Sequence, residues 1–249
     1  MDRITSRKNA TITLLRALAS DAALRTERGE FVCDGIKLLG EAAAAGAEIS
    51  SVLWKEGGAA GQADCAAQYC APAELFDYAS PMKNSPGPLF TVRLRPDRDE
   101  RAENALVLEN VQDPGNVGTV LRTANAFGVD AVVLLGACAD LYSPKTVRAT
   151  MGAIFRQRVL RMTTEELPDW LRRNDLKLYC AALTADATDL RELDITHSAV
   201  AVGSEGRGLS ETLLALGERN IIIPMSPASE SLNAAVAASV LMWEMRRGR

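Results

Sequence analysis

Histidine is almost missing from this 249-residue chain, in which His197 is the only one. Proteins usually hold zinc and related metals with histidine and cysteine at short spacings, and the five cysteines form no C-x-x-C pair. Cys65 and Cys70 are the nearest approach to a pair of metal ligands. We therefore predict no metal site, and we expect the cysteines to be reduced and mostly buried.

The sequence also lacks any apolar run long enough to cross a bilayer. The amino-terminal sequence MDRITSRKNATITLL carries scattered charges and has no apolar core of the kind found in signal peptides. We therefore expect a cytoplasmic protein with no membrane segment. Because 47% of the residues are hydrophobic and 24% are charged, the chain can bury one large core or two modest ones.

A surplus of basic residues is missing as well, since the net charge is −4, and this argues weakly against a nucleic-acid partner. The distribution of charge tells more than the total. Residues 141–164 contain five basic residues and no acidic one, and the first 28 residues contain several more basic residues. Local basic surfaces that bind RNA and ordinary solvated charges are both compatible with this pattern.

A boundary is indicated near residues 95–104, where proline and alternating charges separate two apolar runs. Before it, helix-like stretches at residues 10–20 and 35–45 alternate with short apolar runs such as residues 52–54, as in a small α/β module. We predict a domain at residues 1–96, a linker at 97–104 and a second domain at 105–249.

The second domain alternates strand-like and helix-like segments, which predicts a mostly parallel sheet covered on both faces. Short apolar runs closed by turn residues predict strands at residues 105–109, 131–135, 176–182, 198–202 and 220–223. Helical spacing predicts helices at residues 117–127, 164–173, 210–216 and 233–247. In such folds, ligands bind beyond the carboxyl ends of the strands.

Polar residues follow the first of these strands. Asn116 is a candidate N-cap of the next helix. Gly118 and Arg122 are four residues apart and share a helix face, on which the small residue leaves room beside the guanidinium. Taken alone, the same pattern describes a capped helix with a surface arginine.

Two further strand ends carry unusual residues. The segment GSEGRG at 203–208 matches neither the dinucleotide fingerprint nor the phosphate loop, and the Glu205 carboxylate disfavours an anionic ligand. After the last strand, Pro224 leaves backbone groups free to bind a ligand. Ser231 and Asn233 are candidate caps of the final helix, and a capping residue can also contact a substrate.

Three segments resemble, in order and spacing, the signature motifs of the SpoU (TrmH) family of RNA ribose 2′-O-methyltransferases, in the SPOUT superfamily. They are NVGTVLRTANAFG, VGSEGRGLS and IPMSPASESLNAAVAASVLMWE, with SPKTVRATMGA between the first two. The resemblance covers the chain from about Ala105 to its end. The first domain, with ITSRKN, FVCDGIKLL and ISSVLW, is similar to the substrate-binding domain of many family members.

The resemblance implies an α/β fold with a C-terminal trefoil knot and a mostly parallel sheet, preceded by a small α/β RNA-binding domain. It implies S-adenosylmethionine as the cofactor and a homodimer with the active site at the interface, with RNA as a partner and no membrane. By position in the motifs, cofactor contacts are expected at six residues, of which the last three are the weaker assignments: Gly203, Ile223, Leu232, Pro224, Met225 and Thr184.

Arg122 matches the catalytic arginine of the family. Because a guanidinium stays protonated, we expect Arg122 to clamp the phosphate beside the target ribose and to stabilise the developing alkoxide, while that phosphate or a water accepts the proton. Asn116 and Glu205 are expected to orient Arg122 or the substrate. Ser231 and Asn233 are expected to contact the target nucleotide and the partner chain.

Four basic residues are candidate contacts to RNA phosphates: Arg7, Lys8, Lys145 and Arg148. The first domain favours large-subunit ribosomal RNA over transfer RNA, and a transfer RNA ribose methyltransferase remains an alternative. A noncatalytic RNA-binding assembly factor is a second alternative. A relative that methylates a base nitrogen is a third, although the spacing of Asn116, Gly118 and Arg122 favours ribose chemistry. A nicotinamide-dependent oxidoreductase is disfavoured because its glycine fingerprint is missing.

Overall fold

The computed structural model describes residues 1–58, 61, 63–97, 100–226 and 231–247. The described residues form nine α-helices: α1 (Ala10–Ser20), α2 (Ala22–Arg28), α3 (Ile36–Ala44), α4 (Ala73–Ala79), α5 (Pro114–Phe127), α6 (Pro144–Ala149), α7 (Leu167–Asn174), α8 (Glu211–Leu216) and α9 (Ala234–Met245). They form twelve strands: β1 (Asp2–Arg3), β2 (Glu30–Asp34), β3 (Ile49–Lys55), β4 (Ala67–Ala71), β5 (Leu89–Arg93), β6 (Ala105–Glu109), β7 (Ala131–Leu135), β8 (Val159–Met162), β9 (Lys177–Ala181), β10 (Thr188–Asp189), β11 (Ser198–Val202) and β12 (Arg219–Ile222). None of the described helices is both long and apolar enough to cross a membrane.

The chain divides into two compact units. The first contains Met1–Pro96 and Asp140–Arg156, and the second contains Asp97–Ala139 and Gln157–Arg249. The segment Asp140–Arg156 groups with the first unit, although the sequence prediction placed it in the second domain. Its grouping has a physical cause, because Val147 and Phe155 are buried in the same hydrophobic core as Phe31.

The first unit is built on a five-stranded mixed sheet in the order β1-β4-β3-β5-β2. Side chains alternate along β3, so that Val52 and Trp54 face one side and Leu53 the other. On the side of Leu53, the sheet is covered by apolar residues of α1 and α4, including Leu15. On the side of Trp54, it is covered by residues of α3 and α6, including Val147.

The second unit is built on a seven-stranded sheet in the order β10-β12-β9-β11-β6-β7-β8, and every strand pair in it is parallel. The central strands β6, β7 and β11 are buried along their whole length. Buried residues of α7 and α8, including Trp170 and Leu213, pack with residues of the strands in one hydrophobic core. The α/β fold with a mostly parallel sheet is confirmed.

The structure corrects the start of α5. The helix begins at Pro114, and the N-cap is Asp113, whose Oδ1 accepts the backbone N–H of Asn116 at 2.9 Å. Asn116 therefore lies in the first turn, and the prediction that it caps the helix is wrong. Proline suits the first helical position because it has no N–H to leave unpaired. Of the two candidate caps of the final helix, Asn233 is the N-cap of α9, and the prediction that Ser231 caps it is wrong because Ser231 lies two residues before the cap.

Candidate functional site

The three motif segments start from one edge of the sheet in the second unit. In a parallel sheet the carboxyl ends of all strands lie at the same edge, so β6 and β11 end side by side and β12 ends at the same edge, beyond β9. Glu109 ends β6, Val202 ends β11 and Ile222 ends β12. The loops that follow these residues carry the polar side chains of the site.

An amide–carboxylate cluster joins the three motifs, and it consists of Asn116, Glu205 and Asn233. Asn116 Nδ2 donates to Glu205 Oε1 at 2.8 Å, and Asn233 Nδ2 donates to the same oxygen at 2.5 Å. Asn233 Nδ2 also donates to Asn116 Oδ1 at 3.1 Å. Residues separated by more than a hundred positions along the chain are therefore held within hydrogen-bonding distance.

The cluster lies at the start of α9. Asn233 Oδ1 caps the helix by accepting the backbone N–H groups of Ala235 at 3.0 Å and Val236 at 3.2 Å. The backbone N–H of Ala234 donates to Glu205 Oε1 at 3.3 Å. A negative charge is favourable at a helix N-terminus, so the Glu205 carboxylate and α9 stabilise each other. Asn233 thus caps the helix and orients the carboxylate at once.

The turn after β11 requires glycine at position 203. A Cβ atom there would lie 2.2 Å from the carbonyl carbon and oxygen of Gly208, closer than any van der Waals contact allows. The turn folds back on itself through a bridge between Ser204 and Gly208, with the Gly208 N–H donating to the Ser204 carbonyl at 2.8 Å. Glycine at position 203 therefore lets the two arms of the turn approach each other closely enough to form this bridge.

An apolar cavity of about 360 Å³ lies against this turn. Its walls are mainly main chain and aliphatic side chains: Gly203, Leu209, Leu214, Ile221, Ile222, Ile223, Met225 and Leu232. Cavities that bind small molecules are commonly of this volume and this character. The apolar cavity can therefore hold a nucleoside-sized ligand, with the main chain supplying the hydrogen bonds.

A polar cavity of about 410 Å³ lies on the other side of the same turn. Its lining includes Asn110, Gln112, Asp113, Asn116 and Arg207. The two cavities share Ser204, Glu205, Gly206, Arg207 and Ala234 as a common wall. Two different ligands could therefore lie on opposite sides of Glu205.

The residues proposed to bind a cofactor lie as follows. Gly203, Ile223, Met225 and Leu232 line the apolar cavity, and so does Ser231. Pro224 and Thr184 are not among the described residues that line it. The signal for Pro224 was its place at a strand end, but it is its two neighbours, Ile223 and Met225, that reach the cavity.

Arg122 is separate from both cavities. It is exposed on α5, and within the described part of the chain it lines neither cavity and forms no hydrogen bond or ion pair. Gly118, predicted to make room beside Arg122, is buried. Of the two polar residues of α5 that the sequence predicted for the site, Asn116 therefore belongs to the amide–carboxylate cluster and Arg122 does not.

The four candidate RNA contacts all belong to the first unit. Arg7 pairs with Glu74 at 2.8 Å, and its guanidinium lies 4.5 Å from the centre of the Tyr78 ring. Lys8, Lys145 and Arg148 are exposed. The charge of Arg148 acts on Asp34, whose pKa is raised from its ordinary value by burial and partly lowered again by hydrogen bonds from Ser85 and Ser80 and by nearby cations including Arg148.

A buried acid supports the site and was missed in the sequence. Glu109 is 4% exposed, and its carboxylate accepts the backbone N–H of Ser210 at 2.7 Å and the Ser210 hydroxyl at 2.6 Å. These bonds fix the end of β6 to the start of α8. The only signal was an acidic residue that closes an otherwise apolar strand. Burial, with a smaller effect of the Glu109 charge, raises the pKa of the neighbouring Cys180 to about 11.

The chain is similar in sequence to known RNA methyltransferases. The model of the SpoU rRNA Methylase family matches residues 103–243. The chain is 40% identical over 146 residues to the 23S rRNA (guanosine(2553)-2′-O)-methyltransferase RlmP of Bacillus subtilis, an alignment that covers 58% of this chain and 58% of that protein. It is 33% identical to an uncharacterized tRNA/rRNA methyltransferase of Synechocystis, with 98% of this chain and 93% of that protein covered.

A solved structure is similar over almost the full length. The AdoMet-bound rRNA methyltransferase from Sinorhizobium meliloti superposes with a TM-score of 0.86 at 26% identity, covering 99% of this chain and 97% of that one. The likeness therefore includes both compact units, whereas the alignment with the Bacillus protein spans a little over half of either chain.

Proposed function

Because the chain belongs to the SpoU rRNA methylase family, we propose that it is an S-adenosylmethionine-dependent RNA ribose 2′-O-methyltransferase that modifies large-subunit ribosomal RNA. The observation that carries the proposal is the amide–carboxylate cluster, in which Glu205 lies between two cavities that differ in polarity. The relative that acts on 23S rRNA supports ribosomal over transfer RNA as the substrate.

The apolar cavity fits S-adenosylmethionine. When bound, this cofactor supplies a methyl group activated by its sulfonium. Gly203, Ile223 and Leu232 would hold it mainly through main-chain atoms, and Met225 would add an apolar wall. Thr184 and Pro224 are not among the described residues that line this cavity. The absence of a Cβ at Gly203, where one would collide with Gly208, allows the turn that borders this cavity to close.

The cluster orients the acceptor. A ribose hydroxyl is a weak nucleophile, so the enzyme must hold it in line with the methyl group and stabilise the charge that develops on its oxygen. Glu205 lies in the wall shared by both cavities, and Asn116 and Asn233 fix its direction. Ser231 lines the apolar cavity, and we propose that it contacts the target nucleotide from the side of the cofactor. The Arg122 guanidinium clamps the phosphate next to the target ribose, and that phosphate or a water takes the proton released by the hydroxyl.

We infer a homodimer formed through α9 and α5. An apolar strip on α9 is exposed and consists of Val236 (49% exposed), Val240 (38%) and Trp243 (62%), at the i, i+4, i+7 spacing of one helix face. The Trp243 ring packs edge-on against Phe127 of α5, with ring centroids 5.6 Å apart. A second copy, docked through the same strip, buries these side chains.

The dimer also gives Arg122 a role. Its side chain reaches neither cavity of its own protomer, yet it lies on the exposed face of α5, the helix that packs against α9. An interface through α5 and α9 would bring Arg122 towards the site of the partner. The catalytic arginine would then act across the interface, and an isolated protomer would lack a complete site.

The two units divide the work. We propose that the first unit binds RNA and that Arg7, Lys8, Lys145 and Arg148 contact phosphates there. Replacing them by glutamine should weaken RNA binding and reduce its dependence on salt: the slope of log K against log salt concentration should fall by about one for each phosphate that is no longer bound.

The second unit would carry the cofactor, with a trefoil knot in its C-terminal part. A ribosomal substrate favours a cytoplasmic location.

The proposal is tested by mapping ribose methylation over total RNA from cells with and without the gene. We expect one 2′-O-methyl group to disappear from large-subunit ribosomal RNA, and its dinucleotide to change from alkali-resistant to alkali-sensitive. Loss of a methyl group from transfer RNA would select the alternative substrate. An unchanged map, with no cofactor binding in calorimetry, would favour a noncatalytic RNA-binding factor.

A further inference from the structure

The polar cavity contains one amide side chain, Gln112, whose oxygen and nitrogen both lack a partner in the described part of the chain. We propose that this cavity receives the base of the target nucleotide and that Gln112 reads its edge. The inference rests on the proposed function, which it deepens by assigning a residue that selects the nucleotide.

The position of the cavity favours a nucleotide. It shares the turn 204–207 with the apolar cavity, so that a ribose in one lies next to a methyl donor in the other. Its lining is polar, with Asn110, Gln112, Asn116 and Ser204 able to donate and accept hydrogen bonds. Bases and riboses carry donors and acceptors that can form hydrogen bonds with these side chains. The aliphatic side chains of the apolar cavity cannot form such bonds.

The charge of the cavity selects which part of the nucleotide enters. Two acidic residues, Asp113 and Glu205, face one basic residue, Arg207. A phosphate inside this lining would be repelled, but a neutral base and its ribose would not. Arg207 is exposed and has no hydrogen-bond or ion-pair partner among the described residues, so it can bind the adjoining phosphate at the rim.

Asn110 is engaged through its oxygen and Asn116 through both its oxygen and its nitrogen. Asn110 Oδ1 accepts the backbone N–H of Ala137 at 2.8 Å. Asn116 uses its nitrogen on Glu205 and its oxygen to accept from Asn233. Gln112 is exposed and, among the described residues, neither its oxygen nor its nitrogen has a partner. An amide can pair with two atoms of a base edge and so distinguish bases, whereas the rotating hydroxyl of Ser204 suits donors and acceptors alike.

The loop that carries Gln112 is fixed on both sides. Asn110, in the left-handed conformation with φ of 55°, donates its backbone N–H to Leu135 at 3.2 Å. The carbonyl of Val111, which is 2% exposed, accepts from Ala139 at 2.9 Å, and Asp113 caps α5. Gln112 is therefore an exposed reading group on a rigid support, which reduces the entropy lost when it binds.

The experiment uses the full-length protein and transcripts of 23S rRNA in which the mapped target nucleotide is A, C, G or U. Methyl transfer from labelled S-adenosylmethionine is measured as kcat/KM for each transcript. The wild type should prefer one base by on the order of tenfold or more. Gln112→Met, which keeps the length and removes the hydrogen bonds, should abolish most of this preference while leaving the Kd for the cofactor unchanged. Gln112→Glu, which can only accept, should shift the preference towards a base that donates.

Glu211→Gln on α8 is the control, because Glu211 is exposed and lines neither cavity. It should retain the wild-type preference. If Gln112→Met discriminates among the four transcripts as the wild type does, or if the wild type methylates all four equally, the assignment of Gln112 is overturned. If the wild type transfers no methyl group to a ribose in any transcript, the proposed function itself fails and the base site fails with it.

Discussion

Arg122 and Asn233 should complement each other across a dimer. Asn233→Ser keeps a capping oxygen for the N-terminus of α9 and removes the Nδ2 that donates to Glu205 at 2.5 Å and to Asn116 at 3.1 Å. Arg122→Gln removes the charge of a side chain that contacts neither cavity of its own protomer. Each homodimer should lose on the order of a hundredfold in kcat, the usual cost of removing one group that stabilises transition-state charge.

The turnover of a heterodimer of the two variants shows whether Arg122 acts in its own protomer or in the partner. If Arg122 acts across the interface, the protomer with Arg122→Gln keeps Asn233 and receives an intact arginine from its partner, while the other site has lost both groups. One site in two is complete, so about half of the wild-type turnover per dimer should return. The two variants are expressed together with different affinity tags, purified in sequence through both tags and assayed on 23S rRNA. A heterodimer no more active than the parent homodimers would show that Arg122 serves its own protomer, and the proposed interface would be wrong.

Single side chains and turns give three other predictions. Gly203→Val should abolish binding of S-adenosylmethionine in calorimetry, because even a Cβ would lie 2.2 Å from Gly208 in the turn that borders the apolar cavity. Gly40→Ala on α3, which lines neither cavity and has nothing within 4 Å of its Cβ position, should bind normally, and equal affinity of both variants would contradict the close approach. Trp243→Glu should convert the dimer to a monomer in light scattering, because it places a charge in the α9 apolar strip. The control Arg173→Glu, on the exposed face of α7, should leave the dimer intact. A dimer that survives Trp243→Glu would exclude the α9 apolar strip as the dimer interface. The pKa of Cys180 is raised to about 11, so little of its reactive thiolate is present at about pH 8. At that pH, Cys180 should react with iodoacetamide about a hundredfold more slowly in the native protein than after unfolding. Labelling of Cys180 as fast as that of the half-buried Cys65 would contradict its burial.

Much of the second unit could be predicted because its strands are short apolar runs closed by turn residues. The predicted bounds of β6, β7 and β11 agree with the structure residue for residue. Edge strands were harder, since they are short and half polar. β8, for example, has four residues and exposes Arg161, and no alternating or continuous apolar pattern distinguishes it from a loop.

The details of the site depended on three-dimensional neighbours that spacing along the chain does not define. Asn116 looked like a cap, but Asp113 supplies the oxygen three residues earlier, since Pro114 can begin the helix without an N–H. Asn116 was thereby left free to bond Glu205, 89 positions away. The separation of Arg122 from both cavities is equally non-local, because it depends on which face of α5 packs against α9.

The path of the chain limits how its parts can be exchanged. The polypeptide passes from one compact unit to the other after Pro96, Ala139 and Arg156. A gene truncated after codon 96 would therefore encode an incomplete core without Val147 and Phe155. Recombination that swaps RNA-binding specificity between such enzymes must carry the stretch from Asp140 to Arg156 together with the amino-terminal part, and a single crossover at Pro96 would pair mismatched halves.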